Sequence, residues 1–114
     1  MDNMLEKLKE YGADITGAMG RFLNDVDLYK TCFQICLEDE AFEKLGQAIA
    51  AMEYDNAFEY AHALKGITGN MGLMPLYQVI HCMVEDLRRK EYDNLQSLYA
   101  EICTQKKCLE KLQK

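Results

Sequence analysis

From residue 2 to residue 112 the apolar residues of this chain recur three and four positions apart, and no stretch shows the two-residue alternation of a strand. That rhythm confines the fold to helices. Pro75 is the only proline. Proline suits the first turn of a helix and pushes the preceding residue away from α geometry, so Met74 and Pro75 read as a boundary between two long helices.

The chain divides at such signals. Residues 2–11 carry Met4, Leu5, Leu8 and Tyr11 at helical spacing, with Gly12 as a stop. Residues 13–23 hold Ile15, Met19, Phe22 and Leu23, broken by Gly17 and Gly20, and predict a short helix. Asp25 is placed to cap a helix over 26–38 with a broad apolar face of Leu28, Tyr29, Cys32, Phe33, Cys36 and Leu37. An acidic cluster at 38–40 interrupts. A helix over 40–53 turns Phe42, Leu45, Ile49 and Met52 inward. Asp55 caps a central helix over 56–73, and a helix over 75–89 buries Leu76, Ile80, Met83 and Leu87. Asp93 caps a last helix over 94–112, whose lysine-rich end suits the negative pole of a helix dipole. Short connections make neighbours antiparallel. The expected architecture is therefore all-α: a single domain over 1–114, an antiparallel up-down four-helix bundle with additional short N-terminal helices.

Charge and cysteine usage narrow the function classes. Thirteen Lys and Arg against nineteen Asp and Glu leave a net charge of −6, which disfavours broad binding to nucleic acid or anionic membranes. The apolar runs are too short to span a bilayer, and residues 1–20 lack the continuous apolar core of a signal peptide, so a cytoplasmic setting is expected. Cys32, Cys36, Cys82, Cys103 and Cys108 make an odd count without a CxxC pair. They read as small buried hydrophobes in a reducing compartment.

The informative stretch is 59–73. On a helix, Tyr60, Leu64, Ile67 and Met71 fall on one face, and Phe58, His62, Lys65, Gly66 and Gly69 on the other. If the apolar stripe faces the core, His62 points outward, with an ammonium one turn on and bare backbone beside it. Glycines inside a helix cost roughly 1 kcal/mol each against alanine, so something must approach this backbone closely. An exposed neutral imidazole is a competent nucleophile. The ammonium of Lys65 would stabilise a phosphoryl group placed on it. No pocket or cofactor motif is present, so the group is expected to come from a macromolecule.

The run Ala61-His62-Ala63-Leu64-Lys65-Gly66, followed by Asn70-Met71-Gly72-Leu73, resembles the signature of histidine-containing phosphotransfer (HPt) domains. The upstream residues Arg21 to Asp25, Leu28, Tyr29, Phe33 and Leu37 also fit that family's first bundle helix. The resemblance implies a four-helix bundle with a phosphorylatable His62, passing phosphoryl groups between aspartates of receiver domains in a two-component phosphorelay. It further implies that Lys65 contacts the phosphoryl oxygens and that Gly66 permits docking of a partner. Phe58, Glu59 and Gly69 would line the docking face, with help from Ile15 and Met19, and Arg88 matches a basic position near the site in some members. The implied partners are response-regulator receiver domains and hybrid sensor histidine kinases. Any Mg²⁺ belongs to the receiver; the chain itself is expected to bind no metal or cofactor, to act as a monomer, and not to phosphorylate itself from ATP.

One departure stands out. Family members often hold Glu or Gln 22 residues after the histidine, where it can orient the ring; here that residue is Val84. Glu59, one turn before His62, is the expected substitute. Two other classes compete. A non-catalytic adaptor or inhibitor would keep the docking face and lose the transfer. A carboxylate-bridged metal bundle would use Glu59-x-x-His62, although its counterpart, Gln78-x-x-His81, has Gln where Glu is needed. His81 itself is expected on the surface.

Overall fold

The computed structural model describes residues 3–113, and seven helices form among them. They are α1 (Asn3–Tyr11), α2 (Ile15–Arg21), α3 (Val26–Leu37), α4 (Ala41–Ala50), α5 (Tyr54–Asn70), α6 (Met74–Arg88) and α7 (Leu95–Leu112). The described residues contain no strand. In the bundle α4 packs on α5, α5 on α6 and α6 on α7, and α7 returns against α3 and α4. The short α1 lies against α7 and α2.

Local chemistry sets the boundaries. Gly12 ends α1 at φ +114°, a left-handed conformation that a side chain would strain. Asp14 caps α2 by accepting from the Gly17 N–H at 3.1 Å, and Asp25 caps α3 by accepting from Leu28 at 3.0 Å. Pro75 occupies the first turn of α6.

The N-terminal helices complete the corner between α5 and α6. Arg21 donates from Nε to the Asn70 carbonyl at 2.9 Å and from Nη2 to the Gly69 carbonyl at 3.1 Å. A cation thus satisfies orphan carbonyls at the negative end of α5. The buried Tyr29 hydroxyl donates to the Met71 carbonyl at 2.7 Å. The Tyr11 hydroxyl accepts from the Leu76 N–H at 3.0 Å. Gly72, at φ +72°, meets the α2 entry so closely that a Cβ would lie 2.6 Å from the Asp14 carbonyl oxygen. These contacts fix where α5 ends, and hence the register of everything on it.

Several expectations need correction. The buried stripe of α5 is Ala57, Ala61, Leu64 and Thr68, whereas Tyr60 and Ile67 are only half-buried. Small residues face the core because α5 is gripped between α4 and α6, and alanines let the helix axes approach. The Thr68 hydroxyl bonds back to the Leu64 carbonyl at 2.8 Å, so its burial leaves no polar group unpaired. Helix α5 begins at Tyr54, so Asp55 lies in its first turn and the cap position is Glu53; α7 is entered through Asn94, not Asp93. α5 ends at Asn70, three residues early, because Gly72 turns the chain. Leu28 and Met52 are exposed, and Cys82 and Cys108 lie on the surface. Ile15 and Met19 are buried in the core and so cannot serve a docking face. No described helix is long and apolar enough to cross a membrane.

Candidate functional site

The shift in the buried stripe does not alter which face of α5 meets solvent. His62 and Gly66 are exposed, and Lys65 and Gly69 are half-buried. His62, Lys65, Gly66, Gly69 and Asn70, with Tyr77 from α6, line one shallow open cavity of about 260 Å³. The Lys65 ammonium makes no ion pair with the described residues, so it remains available to an anion.

The two glycines differ. A Cβ built at Gly66 meets nothing within 4 Å. A Cβ built at Gly69 lies 3.2 Å from the Tyr77 ring. The space beside Gly69 is taken from within the molecule, and only that beside Gly66 is open. Sequence reasoning passed over Tyr77. No local signal marks it, because Tyr77 meets Gly69 only once α5 and α6 pack together.

Among the described residues the imidazole has one ring neighbour. Phe58, one turn before His62, lies nearly parallel to it, with ring centroids 5.7 Å apart and planes at 16°. The Arg88 guanidinium of α6 sits over the Phe58 ring at 5.4 Å, and its Nε pairs with Glu85 Oε2 at 3.3 Å. The structure thus joins Phe58, His62, Arg88 and Glu85 into one surface patch. Glu59 is not part of it: it is exposed, and no hydrogen bond joins it to His62 among the described residues. Val84 is wholly buried in the core.

His81 is not the surface histidine expected. It is half-buried, stacks on Tyr77 at 6.2 Å, and holds its Nδ1 away from solvent without a partner among the described residues. No group of three or more His, Cys, Asp or Glu among the described residues could hold a metal ion, so Glu59 and His62 have no further ligands around them. A larger cleft of about 460 Å³, at the start of α5, is lined by Met52, Glu53, Tyr54, Asp55, Asn56 and Tyr92 and contains neither imidazole nor ammonium.

Such a bundle offers a nucleophile on an open helix face, beside a cation and uncovered backbone. Among the described residues this places it in the class of small all-helical bundles that carry a histidine and a lysine on one open face. A sequence model of the Hpt domain matches residues 37–114, and the chain belongs to the Hpt domain family. Membership supports a role in histidine phosphotransfer within a phosphorelay. No curated protein and no solved structure matches the chain. The match opens at the last residue of α3, so the likeness read over residues 21–36 lies outside it.

Proposed function

We propose that His62 accepts a phosphoryl group from the aspartyl phosphate of a receiver domain and passes it to the aspartate of another. The observation that carries this reading is the exposed His62 with a free ammonium at Lys65 and open backbone at Gly66, all on one face of a family-matched bundle. The receiver would close over Gly66, where no side chain obstructs it. The Nε2 lone pair of neutral His62 attacks phosphorus in line. The N–P bond forms as the O–P bond breaks, and the aspartate leaves as a carboxylate with the bonding electron pair. Lys65 offsets part of the negative charge that arrives on the imidazole. The Mg²⁺ that assists departure belongs to the receiver, and the bundle contributes nucleophile and surface. Receiver domains and hybrid kinases are the expected partners, the bundle acts as a monomer, and the cytoplasm is the expected compartment.

The test mixes the protein with a phosphorylated receiver and Mg²⁺ and looks for an acid-labile, base-stable phosphate by intact mass and ³¹P NMR. Wild type gains one phosphoryl group, and His62→Gln gains none while keeping its fold. Label that persists in His62→Gln refutes the assignment. Receivers that bind the wild type yet never label it would support the adaptor class.

A further inference from the structure

We propose that Phe58 is a positioning residue that holds the His62 imidazole for in-line attack, by stacking where a hydrogen bond would otherwise serve. The inference rests on the reading of His62 as phosphoacceptor. It starts from a need: an exposed histidine on a helix keeps its side-chain freedom, and the torsion that turns the ring is broad and shallow. Attack on phosphorus requires the nitrogen lone pair to point along one line, and a misplacement of about 1 Å costs up to about 10²-fold in rate. Something must therefore hold the ring.

No hydrogen bond to the imidazole is made by any described residue. Val84, which takes the place of the orienting polar residue that the resemblance implies, is buried and apolar. Among the described residues the ring that pairs with it is Phe58, at 5.7 Å between centroids and 16° between planes. A nearly parallel pair at that separation is offset, the arrangement that aromatic quadrupoles prefer. The geometry also suits the chemistry. An offset ring contact engages the π system of the imidazole, while both nitrogens carry their lone pair or proton in the ring plane. The ring can be held without occupying the atom that must react.

Phe58 is itself anchored. It is half-buried and packs against the core. Arg88 sits over its ring at 5.4 Å and is held by Glu85 at 3.3 Å. Two residues of α6 thus fix a ring of α5, which fixes the imidazole one turn further on. Attraction between the cation and the arene favours one orientation of Phe58.

The experiment compares wild type, Phe58→Leu, Phe58→Met and Phe58→Tyr. Leu and Met keep apolar bulk for docking but have no ring; Tyr keeps the ring. Two readouts are taken: the His62 ring-proton resonances by NMR, and single-turnover transfer from a phosphorylated receiver across receiver concentrations. In the Leu and Met variants the His62 resonances lose their ring-current shift, the rate at saturating receiver falls about 10-fold, and the receiver Kd stays within about 2-fold. Tyr restores both shift and rate. Loss of affinity at an unchanged saturating rate would overturn the proposal and make Phe58 a docking residue only. His62 resonances that ignore the loss of the ring would overturn it as well. Wild type that takes up no phosphoryl group overturns the reading of His62, and with it any positioning role; wild type and Phe58→Leu that transfer equally fast overturn the positioning role alone.

Discussion

Gly46 and Gly66 lie within two packed helices, α4 and α5, and they are glycines for opposite reasons. A Cβ at Gly46 would lie 2.5 Å from the Tyr99 ring, whose hydroxyl donates to the Phe42 carbonyl at 2.8 Å. The seam between α4 and α7 is closed over that backbone. A Cβ at Gly66 meets nothing within 4 Å. Each glycine costs its helix about 1 kcal/mol relative to alanine. At Gly46 the fold supplies the compensation, because only a bare backbone admits Tyr99. At Gly66 the fold supplies none, and under the proposed function a docked receiver would supply it. Gly66 stands one turn from the exposed His62.

The largest effect is expected from filling the open glycine. Gly66→Leu places a good helix former where nothing is displaced, so thermal stability holds or rises by up to about 1 kcal/mol. Transfer from a phosphorylated receiver falls on the order of 100-fold, about 2.7 kcal/mol, because a side chain at the centre of a docked interface keeps the reacting atoms apart. Melting curves beside single-turnover transfer check both halves. A variant that is unchanged in both would erase the contrast between the two glycines.

Filling the closed glycine should do the reverse. Gly46→Ala gains about 1 kcal/mol of helix propensity but drives the Tyr99 ring off its seat and off the Phe42 carbonyl. Overpacking of this kind costs about 1–3 kcal/mol, and the net is a destabilisation of about 1 kcal/mol, roughly 4 °C in melting temperature. Transfer by the folded protein is unaffected. The comparison sharpens in a Tyr99→Leu background, where Gly46→Ala becomes neutral or stabilising because the obstructing ring is gone. If the loss persists there, Tyr99 is not its cause.

These two positions also show what the sequence could reveal. His62, Lys65 and Gly66 were legible because one helical turn relates them, and a periodicity of about 3.6 residues fixes that relation before any tertiary contact forms. The cap at Asp25 follows the same logic, since donor and acceptor are three residues apart. Interactions that cross between helices were not legible. Nothing local tells that Tyr77 fills the space beside Gly69, that Arg88 reaches Phe58, or that Val84 lies in the core. The α5 stripe was misjudged for the same reason. Tyr60 and Ile67 are more apolar than Ala57 and Ala61, but tight packing between α4 and α6 favours the smaller pair inside. Side-chain size at a helix contact is decided by the neighbours.

Burial in the closed part of the molecule shows in titration as well. Burial pushes the Cys36 thiol up to about 12, and the Tyr11 and Tyr99 hydroxyls likewise to about 12; Tyr29 is raised further by the same cause. In the unfolded chain these groups titrate near 9 for the thiol and 10 for the phenols. Below pH 9 both states hold these protons, so the groups add no pH dependence. As pH rises past 9–10 the unfolded state releases them first and the native state keeps them, so the unfolded state binds fewer protons and stability falls. The loss continues until the native values are reached, near pH 12 for Cys36, Tyr11 and Tyr99 and higher for Tyr29. Urea midpoints at pH 8, 9, 10 and 11 should therefore be level at first and then decline. Tyr29→Phe should decline less steeply from a lower start, because it removes one titrating hydroxyl and leaves the Met71 carbonyl without its donor. A flat midpoint to pH 11 would mean that these hydroxyls are as open to water as the His62 face, and that the molecule is not divided as the two glycines suggest.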